Sequence, residues 1–91
     1  MDYQIVWKLR SRQDLRNIAK DNPSAALKFG DLIFARVDML EKFPEIGRIV
    51  PERNQPHIRE IVVRPYRIVY RLLKPEKLVE IIAEQKITNN A

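Results

Sequence analysis

The sequence of 91 residues contains no cysteine, one histidine and two glycines. The absence of cysteine excludes a disulfide framework, a thiolate nucleophile and a zinc site built on thiolates. The single histidine, His57, cannot form a multi-histidine metal centre, and its position beside Pro56 is more typical of a loop residue than of a catalytic group. Two glycines do not make a glycine-rich loop for phosphate. We therefore expect no metal and no cofactor.

Long apolar runs are also lacking. The longest are a few residues, far below the roughly 20 that cross a bilayer. The N-terminal residues Met1-Asp2-Tyr3-Gln4 do not have the basic-then-apolar layout of a secretory signal. We expect a cytoplasmic protein that makes no membrane contact and that folds as a single domain over residues 1–91.

The positive charge is concentrated in one segment of the chain. Residues 47–74 contain six arginines and one lysine against two glutamates, and this excess equals the net charge of +5 of the whole chain. Arginine presents a planar fork of donors that matches phosphate or carboxylate. The segment therefore predicts a polyanionic or acidic partner. The alternative is that these are ordinary surface arginines on a solvated face of the sheet.

Hydrophobic periodicity predicts both helices and strands. Residues that alternate between apolar and polar predict four strands, at Tyr3–Leu9, Ile58–Arg64, Tyr66–Leu73 and Leu78–Gln85. Apolar stripes predict a short helix that Ser11 caps and a longer one from Pro23 to about Lys42. Short turns join the last three strands as an antiparallel meander, and the tail 88–91 is expected to fray.

These elements predict an α+β fold. A helix hairpin packs on one face of a small, mainly antiparallel four-stranded sheet, in the chain order β-α-α-β-β-β.

The strand Tyr66–Leu73 contains the main candidate site residues. Alternation places Arg67 and Arg71 on the face away from the helices, about 7 Å apart. If the turn at residues 74–77 closes the last hairpin directly, Arg71 faces Glu80 and Arg67 faces Glu84, and the glutamates neutralise both arginines. The alternative is that the arginines stay unpaired, and a bulge at either flanking proline would change the register.

Three segments resemble the RelE/ParE superfamily of bacterial toxins, and they lie at Pro44–Arg48, Ile58–Val63 and Tyr66–Arg71. Trp7, the run Pro23-x-Ala25-Ala26 and residues 79–82 agree with it, so the resemblance covers nearly the whole chain in order. The resemblance implies the α+β fold predicted above and the toxin component of a type II toxin–antitoxin system. It also implies a cognate antitoxin that neutralises the toxin and through which alone the toxin reaches promoter DNA.

The resemblance implies two alternative activities. RelE-like members cut mRNA on the ribosome, and Arg67 and Lys86 match their catalytic basic residues. ParE-like members inhibit DNA gyrase by protein–protein contact and need no catalytic residues. The stretch Glu84–Thr88 lacks the histidine that many RelE-like relatives carry there, so the ParE-like activity is favoured and the ribosome-dependent endoribonuclease is the alternative.

Two further expectations follow from the resemblance. A third possible activity is that of a non-toxic corepressor that acts only with its antitoxin. The predicted residues that bind RNA or a partner are Arg48, Arg59, Arg64 and Arg71.

Overall fold

The structure is a computed structural model that describes residues 2–87, and it contains two helices and five strands. The elements are β1 (Gln4–Trp7), α1 (Leu9–Asp21), α2 (Pro23–Asp38), β2 (Arg48–Ile49), β3 (Ile58–Val63), β4 (Tyr66–Leu73) and β5 (Leu78–Lys86), with a 3₁₀ turn (Met39–Glu41) after α2. The predicted fraying of residues 88–91 lies outside the described residues. Among residues 2–87, no helix is long and apolar enough to span a bilayer.

The strands form one mixed sheet in the order β1-β5-β4-β3-β2. The predicted antiparallel meander of β3, β4 and β5 is confirmed. β1 pairs in parallel with β5, and β2 adds a fifth strand by pairing antiparallel with β3. The prediction of four strands is therefore wrong, because the two residues of β2 are too few to show an alternating pattern.

The helices cover one face of this sheet, as predicted. From β4, the side chains of Ile68, Tyr70 and Leu72 point into the main core. They meet Ile33 and Val37 of α2, and all five side chains are buried. Each large apolar side chain buried in this way contributes roughly 1.5–3 kcal/mol.

The start of α1 differs from the prediction. The helix begins at Leu9, and Lys8 is its N-cap residue without a side-chain hydrogen bond. Ser11 is fully buried, and its Oγ donates to the Lys8 carbonyl oxygen over 3.0 Å. The predicted capping role of Ser11 is wrong because β1 runs almost directly into the helix, which places Ser11 inside the first turn.

A bulge in β5 shifts its register against β4. Val69 lies opposite Ala83 and Tyr70 lies opposite Ile81, which leaves Ile82 as the extra residue. One extra residue moves every following side chain to the other face of the sheet. The bulge thus decides which polar residues of β5 meet the arginines of β4.

The two predicted cross-strand pairs have opposite outcomes. Arg71 lies opposite Glu80, as predicted, because this pair is between the turn and the bulge. Arg67 lies beyond the bulge and faces Gln85, so the predicted pair of Arg67 with Glu84 is wrong. Glu84 lies instead on the helix side, where its backbone N–H donates to the Asp14 carboxylate of α1 over 3.1 Å.

The face away from the helices is partly covered. The chain after β2 lays Val50 against Ile58, Val69 and Ile82, and these four side chains form a second, smaller apolar cluster. The basic residues of this face consequently lie beside the loop that follows β2.

Tyr70 fixes the segment that leads into β2. Its hydroxyl donates to the Pro44 carbonyl oxygen over 2.7 Å and accepts from the Gly47 N–H over 3.0 Å. A Cβ atom at Gly47 would lie 2.6 Å from the Tyr70 hydroxyl oxygen and 2.7 Å from the Glu60 carbonyl oxygen. The close approach of the two chain segments therefore requires glycine at this position.

We expect Gly47→Ala to lower the free energy of unfolding by about 1–3 kcal/mol, because the added methyl group overpacks a closed contact. Gly30→Ala is the matched control, since a Cβ there meets no atom within 4 Å. Within α2 the control should raise stability by about 0.5–1 kcal/mol. Urea unfolding followed by circular dichroism measures both changes, and equal effects would contradict the packing explanation.

Candidate functional site

A polar cleft surrounds Arg67 on the sheet face away from the helices, and we call it the Arg67 cleft. Its volume is about 440 Å³. Its lining residues are Arg48, Glu52, Glu60, Val62, Arg67, Gln85, Lys86 and Ile87. They come from β2, β3, β4, the end of β5 and the loop after β2, so the register of the sheet determines which charges meet here.

All three nitrogen atoms of the Arg67 guanidinium donate hydrogen bonds. Nε donates to Gln85 Oε1 over 2.9 Å, Nη1 to Glu60 Oε1 over 3.0 Å and Nη2 to Glu52 Oε2 over 2.5 Å. The bonded Glu52 carboxylate raises the pKa of Arg67 above its ordinary value, and Glu60 adds to this rise. Arg67 is therefore a fixed cation with a carboxylate on each terminal nitrogen.

Glu60 is the buried anion of the cleft. Its side chain is 1% exposed, and it pairs with Arg48 through Oε2 and with Arg67 through Oε1. A buried carboxylate is tolerated only when its charge is paired and its oxygens are hydrogen-bonded. The two arginines meet this requirement and link β2, β3 and β4.

Glu52 is the exposed anion of the cleft. Its side chain is 57% exposed, against 24% for that of Arg67. The hydrogen bond from Arg67 lowers the pKa of Glu52 to about 2. The two carboxylates on Arg67 thus differ greatly in solvent access.

The side chains of two other predicted site residues, Arg71 and Arg59, are hydrogen-bonded within the protein. Arg71 donates to Glu80 Oε1 through Nε over 2.8 Å and through Nη2 over 2.5 Å, and this hydrogen bonding lowers the pKa of Glu80. Arg59 donates to the backbone carbonyl oxygens of Glu45, Gly47 and Pro56. Arg59 therefore holds loops together in this structure.

The remaining predicted residues are at the surface. Arg64 is exposed in the turn between β3 and β4 and does not line the Arg67 cleft. Lys86 is exposed at the end of β5 and borders the cleft. Its register partner is Tyr66, whereas Gln85 is the partner of Arg67, so Lys86 belongs to the opposite face of the sheet. His57 is exposed in the turn directly before β3. The structure thus brings Arg48 and Arg67 together, places Lys86 at the edge of their cleft and separates Arg64 from them.

Sequence reasoning missed the carboxylates that neutralise Arg67. The two-residue turn between β3 and β4 sets Val62 opposite Arg67, and Glu60 then lies one diagonal step away on the same face. This signal was present in the pattern of the two strands. No pattern in the sequence indicated the contact of Glu52 with Arg67, because Glu52 lies in an irregular loop.

Glu84 is a second unusual carboxyl group, and it lies on β5 on the side that faces α1. The residue is 6% exposed, and both carboxylate oxygens are buried without a hydrogen-bond partner in the described part of the chain. Burial, with a further effect of the Asp14 carboxylate, raises the pKa of Glu84 to about 8. At neutral pH this side chain is therefore mostly protonated in the folded state.

One protein family and several solved structures of similar fold match this chain. Residues 5–83 match the family described as the ParE toxin of the type II toxin–antitoxin system parDE. No curated protein matches the sequence.

The chromosomal ParDE toxin–antitoxin system from P. aeruginosa contains a similar fold, with a TM-score of 0.75 and 20% identity over 94% of this chain and 97% of that one. An arginine-substituted mutant of the E. coli toxin RelE in the free state has a TM-score of 0.71 and 19% identity over 94% of this chain and 84% of the other. A chain of the RelBE2 toxin–antitoxin complex from Mycobacterium tuberculosis has a TM-score of 0.67 and 18% identity, with 96% of this chain and 100% of that one covered.

We expect Glu84→Gln to stabilise the protein increasingly as the pH rises from about 4.5 to 8. Between these values the folded state binds more protons at Glu84 than the unfolded state, whose pKa is near the ordinary value of 4.5. The wild-type free energy of unfolding therefore falls over this range, by on the order of a few kcal/mol. Glutamine lacks this dependence, and chemical unfolding at several pH values measures the difference.

Glu80→Gln is a control of opposite sign on the same strand. Because Arg71 lowers the pKa of Glu80 in the folded state, its ionised form contributes stability above the unfolded pKa. The Gln variant should be less stable than wild type at neutral pH, and the difference should vanish in acid. Parallel pH profiles of the two variants would show that burial at Glu84 has no such effect.

Proposed function

Because the chain belongs to the ParE toxin family of type II toxin–antitoxin systems, we propose that it inhibits DNA gyrase by protein–protein contact and that a cognate antitoxin neutralises it. The family match covers residues 5–83, which includes both helices and most of the sheet. The proposed activity is binding, without a chemical step carried out by this chain.

The state of Arg67 is the observation that carries this choice. A ribonuclease needs a cation directed at the phosphate on which charge develops. Here Nη1 and Nη2 of Arg67 are bonded to carboxylates, and Nε is bonded to Gln85. The single histidine is exposed in the turn directly before β3, and it does not line the Arg67 cleft. These contacts support a partner-binding role over phosphodiester cleavage.

Exposed apolar side chains support the antitoxin as a second partner. On and after α2, large apolar residues with at least 43% exposure are Leu27, Leu32, Phe34, Met39, Phe43 and Ile46. Met39 and Ile46 line one groove of about 370 Å³, whose lining also includes Arg36 and Arg48. Exposed apolar surface edged by charge is typical of a protein interface. An antitoxin segment with apolar and acidic residues suits this groove, and it is consistent with the antitoxin complexes among the similar structures.

Induced expression of the wild-type chain in bacteria tests the target. Gyrase inhibition should produce DNA breaks, induction of the SOS response and filamentous cells, while incorporation of labelled methionine continues. Arrest of translation within minutes, with cut mRNA, would overturn the proposal in favour of the RelE-like endoribonuclease. Normal growth would overturn it in favour of the corepressor. The direct test is whether the purified chain inhibits DNA supercoiling by purified gyrase.

Lys86→Ala separates binding from RNA cleavage without disturbing the fold. We expect its growth-arrest potency to stay within a few-fold of wild type, whereas loss of a cation that stabilises a transition state costs about 100-fold or more. Lys20→Ala, an exposed lysine in the last turn of α1, is the matched control. Arg67→Ala is unsuitable, because it removes one of the two partners of the buried Glu60.

A further inference from the structure

Two carboxylates accept hydrogen bonds from the terminal nitrogens of Arg67, and they differ in exposure and in their other partners. Glu60 is on a central strand, is 1% exposed and is also bound by Arg48. Glu52 follows β2 in a turn, its side chain is 57% exposed, and within residues 2–87 its ion pair is with Arg67. Glu60 is consequently part of the fold, whereas Glu52 lies at the mouth of the cleft.

The contact between Glu52 and Arg67 is replaceable. The Glu52 side chain is mostly exposed, so on release from Arg67 it regains water and rotamer freedom. The loop keeps its other anchors when Glu52 moves, since Val50 stays buried in the second apolar cluster. Another oxygen anion can therefore take this place without unfolding the protein.

The cleft without Glu52 is strongly cationic. On the face of Arg67, the charged lining residues are then Arg48 and Arg67 against Glu60, and Lys86 adds a third positive charge at the edge of the cleft. The donor that becomes available is Nη2 of Arg67, on a side chain whose other two nitrogens remain fixed by Glu60 and Gln85. A pre-oriented donor of this kind loses little freedom when it binds a ligand.

We propose that Glu52 is an internal counter-ion over an acceptor site for an acidic side chain, and that a carboxylate of a partner protein replaces it on Nη2 of Arg67. The inference rests on the proposed function, in which the target and the antitoxin are both proteins. The structure indicates the chemical class of the ligand, because a carboxylate oxygen, Glu52 Oε2, already accepts a hydrogen bond from Arg67 Nη2 over 2.5 Å. An RNA strand fits less well, since its successive phosphates need several free cations and would lie beside the buried Glu60 charge.

Glu52→Gln tests the inference, and Glu45→Gln is its control. The Glu45 side chain is 56% exposed and pairs with Lys74 over 2.8 Å, so both variants remove one exposed, ion-paired carboxylate and change the net charge equally. The probe is a capped tetraglutamate peptide, with capped tetraglutamine as the neutral comparison. The readout is the Arg67 Nε–Hε resonance in proton–nitrogen NMR spectra at low salt, assigned by its loss in Arg67→Lys.

We expect the peptide to shift this resonance and to bind Glu52→Gln about fivefold more tightly than Glu45→Gln, as expected for removal of one competing surface ion pair. Equal affinities for the two variants, or an unmoved Arg67 resonance, would overturn the inference. Stronger binding of a single-stranded RNA oligonucleotide of equal charge would also overturn it and would support the nuclease activity. Circular dichroism verifies that the variants fold.

The two proposals can fail separately. Gyrase inhibition by the wild-type chain together with an unmoved Arg67 resonance would reject the acceptor site alone. Translation arrest in cells together with tight peptide binding by Glu52→Gln would reject gyrase as target and retain the acceptor site.

Discussion

The buried carboxylate of Glu60 constrains the rest of the basic surface. It is located between Arg48 of β2 and Arg67 of β4, and its own strand lies between theirs. A charge with 1% exposure persists in a protein only with partners on its oxygens. The short strand β2 and the direction of the Arg67 side chain are therefore both tied to this one carboxylate. Because Arg67 is turned toward Glu60, its other terminal nitrogen faces the mouth of the cleft.

The arginines of β2, β3 and β4 are bonded to acceptors within the molecule. The arginines of β4 and β2 are paired with Glu52, Glu60 and Glu80, and Arg59 is bonded to backbone carbonyls. A net charge of +5 still attracts acidic partners over a distance. At contact range, however, a partner must compete with the carboxylates that the chain already provides. In the proposed function, this competition favours protein partners that offer few, well-placed acidic groups over a nucleic-acid backbone.

Much of the fold could be predicted from the sequence because its signals are local. The helix hairpin followed from apolar stripes, and the meander of β3 to β5 followed from alternation and short turns. Arg71 was matched correctly with Glu80 because only a four-residue turn separates their strands. The predicted pairing of Arg67 with Glu84 is wrong because it depends on the bulge at Ile82, which interrupts simple alternation. The loop that covers the second face had no periodic signal, so Glu52 was not recognised as a partner of Arg67.

The sequence by itself determined the two helices, four of the five strands, the arginine-rich segment and the resemblance to a toxin superfamily, since these depend on residue identity and short-range spacing. Only the tertiary structure decided which charges meet around Arg67. A single inserted residue in β5 moved Glu84 under the helix, where burial raises its pKa, and put Gln85 beside Arg67. The parallel contact of β1 with β5 and the position of Glu52 over the cleft likewise join residues far apart in the chain. Long-range contacts of this kind depend on how whole elements pack, which no local pattern of residues specifies.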